Sequence, residues 1–82
     1  MTVQLSADGS IVLDGACTSD DAETLLQHLV AAPASVVDWR TCESLHTAVL
    51  QVLLVARPRL AGPPVGRFLR AWIEPRLTSG TA

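Results

Sequence analysis

The feature that most constrains this fold is a buried strand followed closely by a long apolar helix, within residues 35–57. Val36 to Trp39 is a short apolar run, typical of a buried strand. We interpret the polar stretch from Arg40 to Ser44 as a connection. A helix is then predicted from about Leu45 to Arg57. Because this helix is apolar on nearly every side, we expect it to be buried on more than one face, inside the domain or against another protein.

The residues before this unit predict a β-hairpin and a first helix. Thr2 to Leu5 and Ser10 to Leu13 alternate polar and apolar residues around Ala7-Asp8-Gly9, a turn sequence. Thr18 to Asp21 supply N-cap oxygens and negative charge, and helical spacing of apolar residues continues to about Ala32, before Pro33. Strand, helix and strand in this order predict a right-handed crossover and parallel pairing.

The C-terminal third predicts one more helix. Pro58 ends the long apolar helix, and no strand is predicted between Pro58 and Pro64. An amphipathic helix follows, with Arg67 and Arg70 outward, and it should end before Pro75. Residues 75–82 are interpreted as a frayed tail. The apolar positions expected on the inner face of this helix are Val65, Phe68, Leu69, Trp72 and Ile73.

These elements predict a single α/β domain over residues 1–82. Its mixed sheet should consist of a β-hairpin plus a parallel strand, covered by about three helices. A chain of 82 residues buries only about 60 to 65% of the surface of its unfolded form, which leaves little room for an elaborate catalytic cleft.

Charge and cysteine content exclude several kinds of function. Six acidic residues and no basic ones lie in residues 1–39, whereas all six arginines lie beyond. Scattered arginines without lysine or interleaved aromatic residues argue against nucleic-acid binding.

With no apolar stretch of membrane-spanning length and no signal-peptide pattern, we expect a cytoplasmic protein without membrane insertion. Cys17 and Cys42 should then be reduced, packed thiols, and a redox pair stays open only if they lie at neighbouring strand ends.

The stretch from Asp38 to Ala56 resembles the central motif of STAS domains, the anti-sigma factor antagonist family. In that motif an aspartate ends a strand, an apolar residue precedes an Asp-Ser-Ser-Gly or Asp-Ser-Ala-Gly turn, and a leucine-rich helix follows. The turn here reads His46-Thr47-Ala48-Val49, with His46 in place of the usual aspartate and Val49 in place of the usual glycine. The resemblance covers residues 2–57 and implies one or two further strands after the motif helix.

The resemblance makes Thr47 the candidate phosphoacceptor. In STAS antagonists the hydroxyl residue of the motif is phosphorylated by a kinase that is also an anti-sigma factor, and the phosphate abolishes binding. Here the phosphate would lie at a helix N-terminus, which favours anions. The alternative is that Thr47 only caps the helix or packs. The candidate interface residues are Asp38, Trp39, Ser44, His46, Ala48, Val49 and Gln51.

Two of these candidates also have structural interpretations. Asp38 can bind local backbone donors, and Trp39 can anchor the core.

Although Asp38, Ser44 and His46 are the residue types of a hydrolase triad, no nucleophile elbow, phosphate loop or metal-ligand cluster accompanies them. The sequence therefore predicts a protein that is not an enzyme and needs neither cofactor nor metal.

The functional hypothesis is a non-catalytic interaction module in bacterial signalling, with a protein partner such as a kinase of the anti-sigma type. A homodimer is a further possibility. The alternative is a constitutive small subunit of a membrane transport or signalling assembly, without phosphorylation. Small-ligand binding, which some STAS domains show, has no specific pocket residues here.

Overall fold

The protein folds as an α/β domain with a four-stranded mixed sheet and three helices, which confirms the predicted fold class. The computed structural model describes residues 2–78 of the chain. The C-terminal helix (residues 67–78) contains a π-helical stretch, Leu69–Ile73, followed by an α-helical stretch, Glu74–Thr78. The other elements are β1 (Val3–Leu5), β2 (Ile11–Cys17), α1 (Ser19–Ala31), β3 (Val36–Leu45), α2 (Thr47–Ala56) and β4 (Arg59–Ala61).

The sheet has the strand order β1-β2-β3-β4. β1 and β2 form the predicted antiparallel hairpin, whose turn contains Gly9 at a φ of 90°, in the region that favours glycine. β2 and β3 are parallel, as the crossover through α1 predicted, and β3 and β4 are also parallel. β3 is thus a central strand, and α1 and α2, which connect successive parallel strands, pack side by side. The right-handed rule for such crossovers assigns both helices to one face of the sheet.

β3 is longer than the sequence predicted, because Arg40 to Ser44 continue the strand instead of forming a connection. Two register shifts against β2 explain the error: one lies between Val12 and Asp14, the other between Gly15 and Ala16. Each shift inserts an extra residue into β3, so the buried side chains of this half are not at alternate positions. The period-2 pattern that identifies a strand is therefore absent from residues 40–44.

A fourth strand, β4, lies where the residue pattern predicted none, although the resemblance to STAS domains implied one or two strands there. It is only three residues long, Arg59–Ala61, and pairs with the first residues of β3, from Val36 to Asp38. Leu60 is its only large apolar side chain and packs partly buried against the core. Such a short segment carries too little pattern to be recognised as a strand.

The C-terminal helix was predicted with the wrong boundaries and the wrong inner face. It continues through Pro75 to Thr78, so residues 75–78 are not a frayed tail, while residues 79–82 lie outside the described part. Leu69 is buried and Ile73 partly buried, but Phe68 and Trp72 are exposed. Because the π-helical turn is wider than an α-helical one, it changes which side chains share a face. The wider turn before Pro75 also gives its ring room.

The core lies between the sheet and the three helices and is built mainly from aliphatic side chains. Trp39, on β3, is the only aromatic residue among its buried members and is fully buried. Its indole Nε1 has no hydrogen-bond partner among the described residues. The buried apolar residues are Val3, Ile11, Leu13, Cys17, Leu25, Leu29, Val37, Trp39, Cys42, Val49, Leu53 and Leu69.

Cys17 and Cys42 are buried free thiols, as predicted. A hydrogen bond to Cys42, together with burial, raises the pKa of the Cys17 thiol well above its ordinary value. Cys42 pairs in register with Gly15, so Cys17 lies diagonally two residues further along β2. The thiols are neighbours, and the Cys42 thiol donates to the Ser44 carbonyl at 3.5 Å, as a reduced cysteine can.

Asp21 connects the start of α1 to the N-terminal strand region. Its carboxylate accepts hydrogen bonds from the Thr18 backbone N-H at 2.7 Å and from the Thr2 hydroxyl. Burial alone would raise the pKa of Asp21, but the hydrogen bonds from Thr2 and Thr18 outweigh it and hold the pKa below its ordinary value. The ionised carboxylate therefore stabilises the fold.

We expect Asp21→Asn to lower the free energy of unfolding by about 1 kcal/mol at pH 7, because an amide oxygen accepts these hydrogen bonds more weakly than a carboxylate and the negative charge near the helix N-terminus is lost. Because the pKa of Asp21 is lowered in the folded state, its stabilisation is present above the ordinary carboxyl pKa and is lost as the pH falls through the folded pKa. The difference between wild type and variant should consequently shrink towards pH 3. Urea denaturation at pH 7 and pH 3 measures it.

Asp20→Asn is the matched control, since Asp20 is an exposed acidic residue in the same helical turn. It removes the same charge near the helix N-terminus but none of the Asp21 hydrogen bonds. Equal losses in the two variants would mean that only the helix dipole is affected.

Candidate functional site

The candidate site lies at the edge of the sheet where the parallel strands β2 and β3 both end. Cys17 and Leu45, the last residues of the two strands, are partners in register. The His46 N-H donates to the Cys17 carbonyl at 3.0 Å, and α2 begins at the next residue. A single residue therefore connects β3 to α2, which fixes the start of the helix against the end of the sheet.

His46 is the N-cap of α2. Its Nδ1 accepts a hydrogen bond from the Ala48 N-H at 3.1 Å, and its carbonyl accepts from the N-H groups of Val49 and Leu50. An aspartate in this position could accept from the same N-H, since carboxylates are common N-caps. The exposed histidine thus has a capping role, which replaces the predicted interpretation of Thr47 as the cap.

We expect His46→Ala to lower the free energy of unfolding by about 1 kcal/mol, because the Ala48 N-H loses its acceptor. His46→Asp should be at least as stable as wild type, since a carboxylate caps the helix and also interacts with its dipole. Thermal unfolding at neutral pH compares the three proteins. An alanine variant as stable as wild type would show that the imidazole contributes no cap.

Thr47 is the first residue of α2, and its side chain is exposed. One turn later Gln51 is also exposed, and Val55, another turn on, is 86% exposed. Ser44 is exposed near the end of β3, where it pairs with Ala16. These residues form one accessible strip from the strand end along α2. We call it the α2 rim: Ser44, His46, Thr47, Gln51 and Val55.

Four of the predicted interface residues lie outside this rim. Trp39 and Val49 are fully buried and belong to the core. Asp38 pairs with Val12 and Ala61 near the beginning of β3, so roughly 20 Å of strand separates it from Ser44. Asp38, Ser44 and His46 therefore do not converge as a triad would require. Ala48, a further candidate, is half-buried beside the rim.

Asp38 instead has the structural role that aspartate often has near its own backbone. Its carboxylate accepts from the Arg40 N-H at 3.0 Å and forms an ion pair with the Arg40 guanidinium at 2.7 Å. The guanidinium hydrogen bond is the main cause that lowers the pKa of Asp38. This pair stabilises the bulged part of β3 and is separate from the rim.

Sequence reasoning missed the exposed apolar side chains. The long apolar helix was expected to be buried on more than one face, and Phe68 and Trp72 were expected on an inner face. Val55 on α2, Phe68 and Trp72 are nevertheless all exposed. For Val55, a signal was available, because a helix apolar on every side cannot bury every side in a small domain.

Among the described residues, no group of three or more histidine, cysteine, aspartate or glutamate side chains is arranged to hold a metal ion.

Comparisons with known proteins found no matching protein-family model, no similar curated protein and no similar solved structure. None of the helices in residues 2–78 combines the length and the hydropathy that a membrane span requires.

Proposed function

We propose that this chain is a non-catalytic interaction module of the STAS type in bacterial regulation, which binds a protein partner through the α2 rim. Phosphorylation of Thr47 switches the binding off. The observation that carries this proposal is the exposed Thr47 hydroxyl at the first position of a helix whose start is fixed to the end of the sheet.

The arrangement around Thr47 supports a phosphate switch. The N-terminus of α2 favours an anion, so a phosphate on Thr47 is compatible with the fold. The same phosphate adds nearly two negative charges to a rim whose other members, Ser44, His46, Gln51 and Val55, carry no negative charge. A partner that covers the uncharged rim would have to desolvate those charges, which strongly disfavours binding.

Two further observations support the resemblance to STAS domains. His46 stands where that family has aspartate, and it accepts the hydrogen bond from Ala48 that a carboxylate could accept. β4 follows α2, as expected for a family with one or two strands after the motif helix. Val49 replaces the usual glycine and packs in the core, so its side chain takes no space on the rim.

The test uses histidine-kinase-fold ATPases encoded near the gene, the class of kinase that the resemblance implies. Each is incubated with the protein and ATP, and mass spectrometry identifies the modified residue. Binding is then measured with wild type, Thr47→Glu and Thr47→Val. We expect phosphate on Thr47, and at least 10-fold weaker binding for Thr47→Glu, a difference of about 1.4 kcal/mol.

Thr47→Val is the matched control because it keeps the shape of threonine but cannot accept phosphate. It should bind the partner as wild type does and incorporate no phosphate at residue 47. Tight binding that survives Thr47→Glu, without phosphorylation, would contradict the switch. That result would favour the second hypothesis, a constitutive subunit of a membrane transport or signalling assembly.

A further inference from the structure

The C-terminal helix exposes two of the three aromatic side chains of the protein. Phe68 is 65% exposed and Trp72 is 62% exposed, whereas Leu69 on the other side of the helix is buried. The two aromatic residues are four positions apart and so lie on one side of the helix. Exposed tryptophan and phenylalanine that are held on a helix are typical anchors of protein interfaces.

The surroundings of these aromatic residues are basic. Residues 57–77 contain five arginines and a single acidic residue, Glu74. Arg67 directly precedes Phe68, Arg76 lies four residues after Trp72, and both arginines are exposed. We call Arg67, Phe68, Trp72 and Arg76 the aromatic face. Its charge favours an acidic occupant with apolar side chains of its own.

A surface with those properties is present on α1 of the same protein. Glu23, Leu26 and Val30 follow helical spacing along one side of α1, and Asp20 lies one turn earlier. Leu26 is 47% exposed and Val30 is 72% exposed. Residues 1–39 contain no lysine or arginine. We call Asp20, Glu23, Leu26 and Val30 the α1 face, and it complements the aromatic face in both charge and apolar character.

We propose that the aromatic face of one copy docks on the α1 face of a second copy. Because the two faces differ, the contact is head-to-tail, and each added copy leaves one face of each kind available. Only a few side chains take part, so the interface falls below the size of stable complexes, and its dissociation constant should be on the order of 0.1 mM. The contact uses no residue of the α2 rim and does not depend on the proposed switch.

Sedimentation velocity from about 10 μM to 1 mM tests this proposal. We expect the weight-average mass to rise with concentration at low salt, and to rise less in 0.5 M NaCl, where the charges are screened. Trp72→Glu damages the aromatic face and Val30→Arg damages the α1 face. Each variant alone should remain monomeric, because every head-to-tail contact requires both faces.

Mixing the two variants gives the decisive measurement. Trp72→Glu retains an intact α1 face and Val30→Arg an intact aromatic face, so the mixture should form a 1:1 heterodimer that grows no further. Leu5→Glu is the matched control: Leu5 is 60% exposed on β1, outside both faces, and its variant should associate as wild type does. Circular dichroism verifies that each variant is folded.

Three results would overturn the proposal. The wild type could remain monomeric at 1 mM, which would leave the aromatic face to a different protein. Val30→Arg could self-associate like wild type, which would indicate a symmetric contact between two aromatic faces. Folded variants could fail to form the mixed dimer, which would exclude the pairing of these two faces.

Discussion

Trp39→Ala should lower the free energy of unfolding by about 3–5 kcal/mol, the range for deleting a large aromatic side chain from a core. Trp39 is fully buried on the central strand, and a Cβ on Gly62 would lie 2.5 Å from its Nε1, so the chain packs tightly around the indole. A domain of this size has a total stability of roughly 4–12 kcal/mol. We therefore expect a substantial unfolded fraction at 37 °C, measured by far-UV circular dichroism in urea.

Trp72→Ala is the matched control, because it makes the same substitution at an exposed tryptophan. At low concentration it should change the stability by no more than about 0.5 kcal/mol. Trp39→Phe should lose less than Trp39→Ala, since it keeps an aromatic ring and removes an indole N-H that has no partner in the described structure. Equal losses at Trp39 and Trp72 would contradict the assignment of Trp39 to the core.

Gly66→Ala should cost about 2–4 kcal/mol, because the position has no room for a methyl group. A Cβ there would lie 2.0 Å from the backbone carbonyl oxygen of Glu43, and β3 cannot move away without losing its pairing. The Gly66 N-H also donates to the Cys42 carbonyl at 3.2 Å. The substitution should push residues 62–66 off β3 and weaken the packing of Leu69.

Urea denaturation measures this loss, and limited proteolysis shows where the structure opens. New cleavage is expected between residues 62 and 66 and at the start of the C-terminal helix. Val65→Ala is the control: Val65 is the neighbouring residue and 52% exposed, so the variant should resemble wild type in both measurements. A Gly66→Ala variant as stable as wild type would mean that this segment adjusts its position freely.

The sequence predicted those elements whose signals are local and regular. The hairpin followed from Asp8-Gly9 between alternating segments, and α1 from the polar residues around Asp21 and its helical spacing. Pro58 marked the end of α2, which ends at Ala56. Together with the crossover rule, these signals were enough to predict the fold class.

The errors occurred where the backbone departs from a regular period. Two bulges concealed the second half of β3, and the π-helical stretch altered the inner face of the C-terminal helix. Patterns of two and 3.6 residues cannot describe either feature. β4 was too short to produce any pattern.

For the candidate site, sequence reasoning predicted the start of α2 close to its observed position but placed some residues wrongly. Thr47 and Gln51 were predicted on an accessible surface and are exposed. Because the extension of β3 was not foreseen, Asp38 was included in the same candidate interface as Thr47, although most of the strand separates them. The cap on Ala48 could have been inferred, since His46 is the polar residue directly before an apolar helical run.

The two outermost strands restrict how a partner can recognise this protein. β1 and β4 contain three residues each. An extended peptide that lengthened the sheet at either strand would gain only a few main-chain hydrogen bonds, too few for recognition by strand addition. Short edges also disfavour uncontrolled sheet-to-sheet aggregation. At these two strands, selective recognition therefore relies more on side chains presented by neighbouring helices and turns, where single substitutions can redirect it.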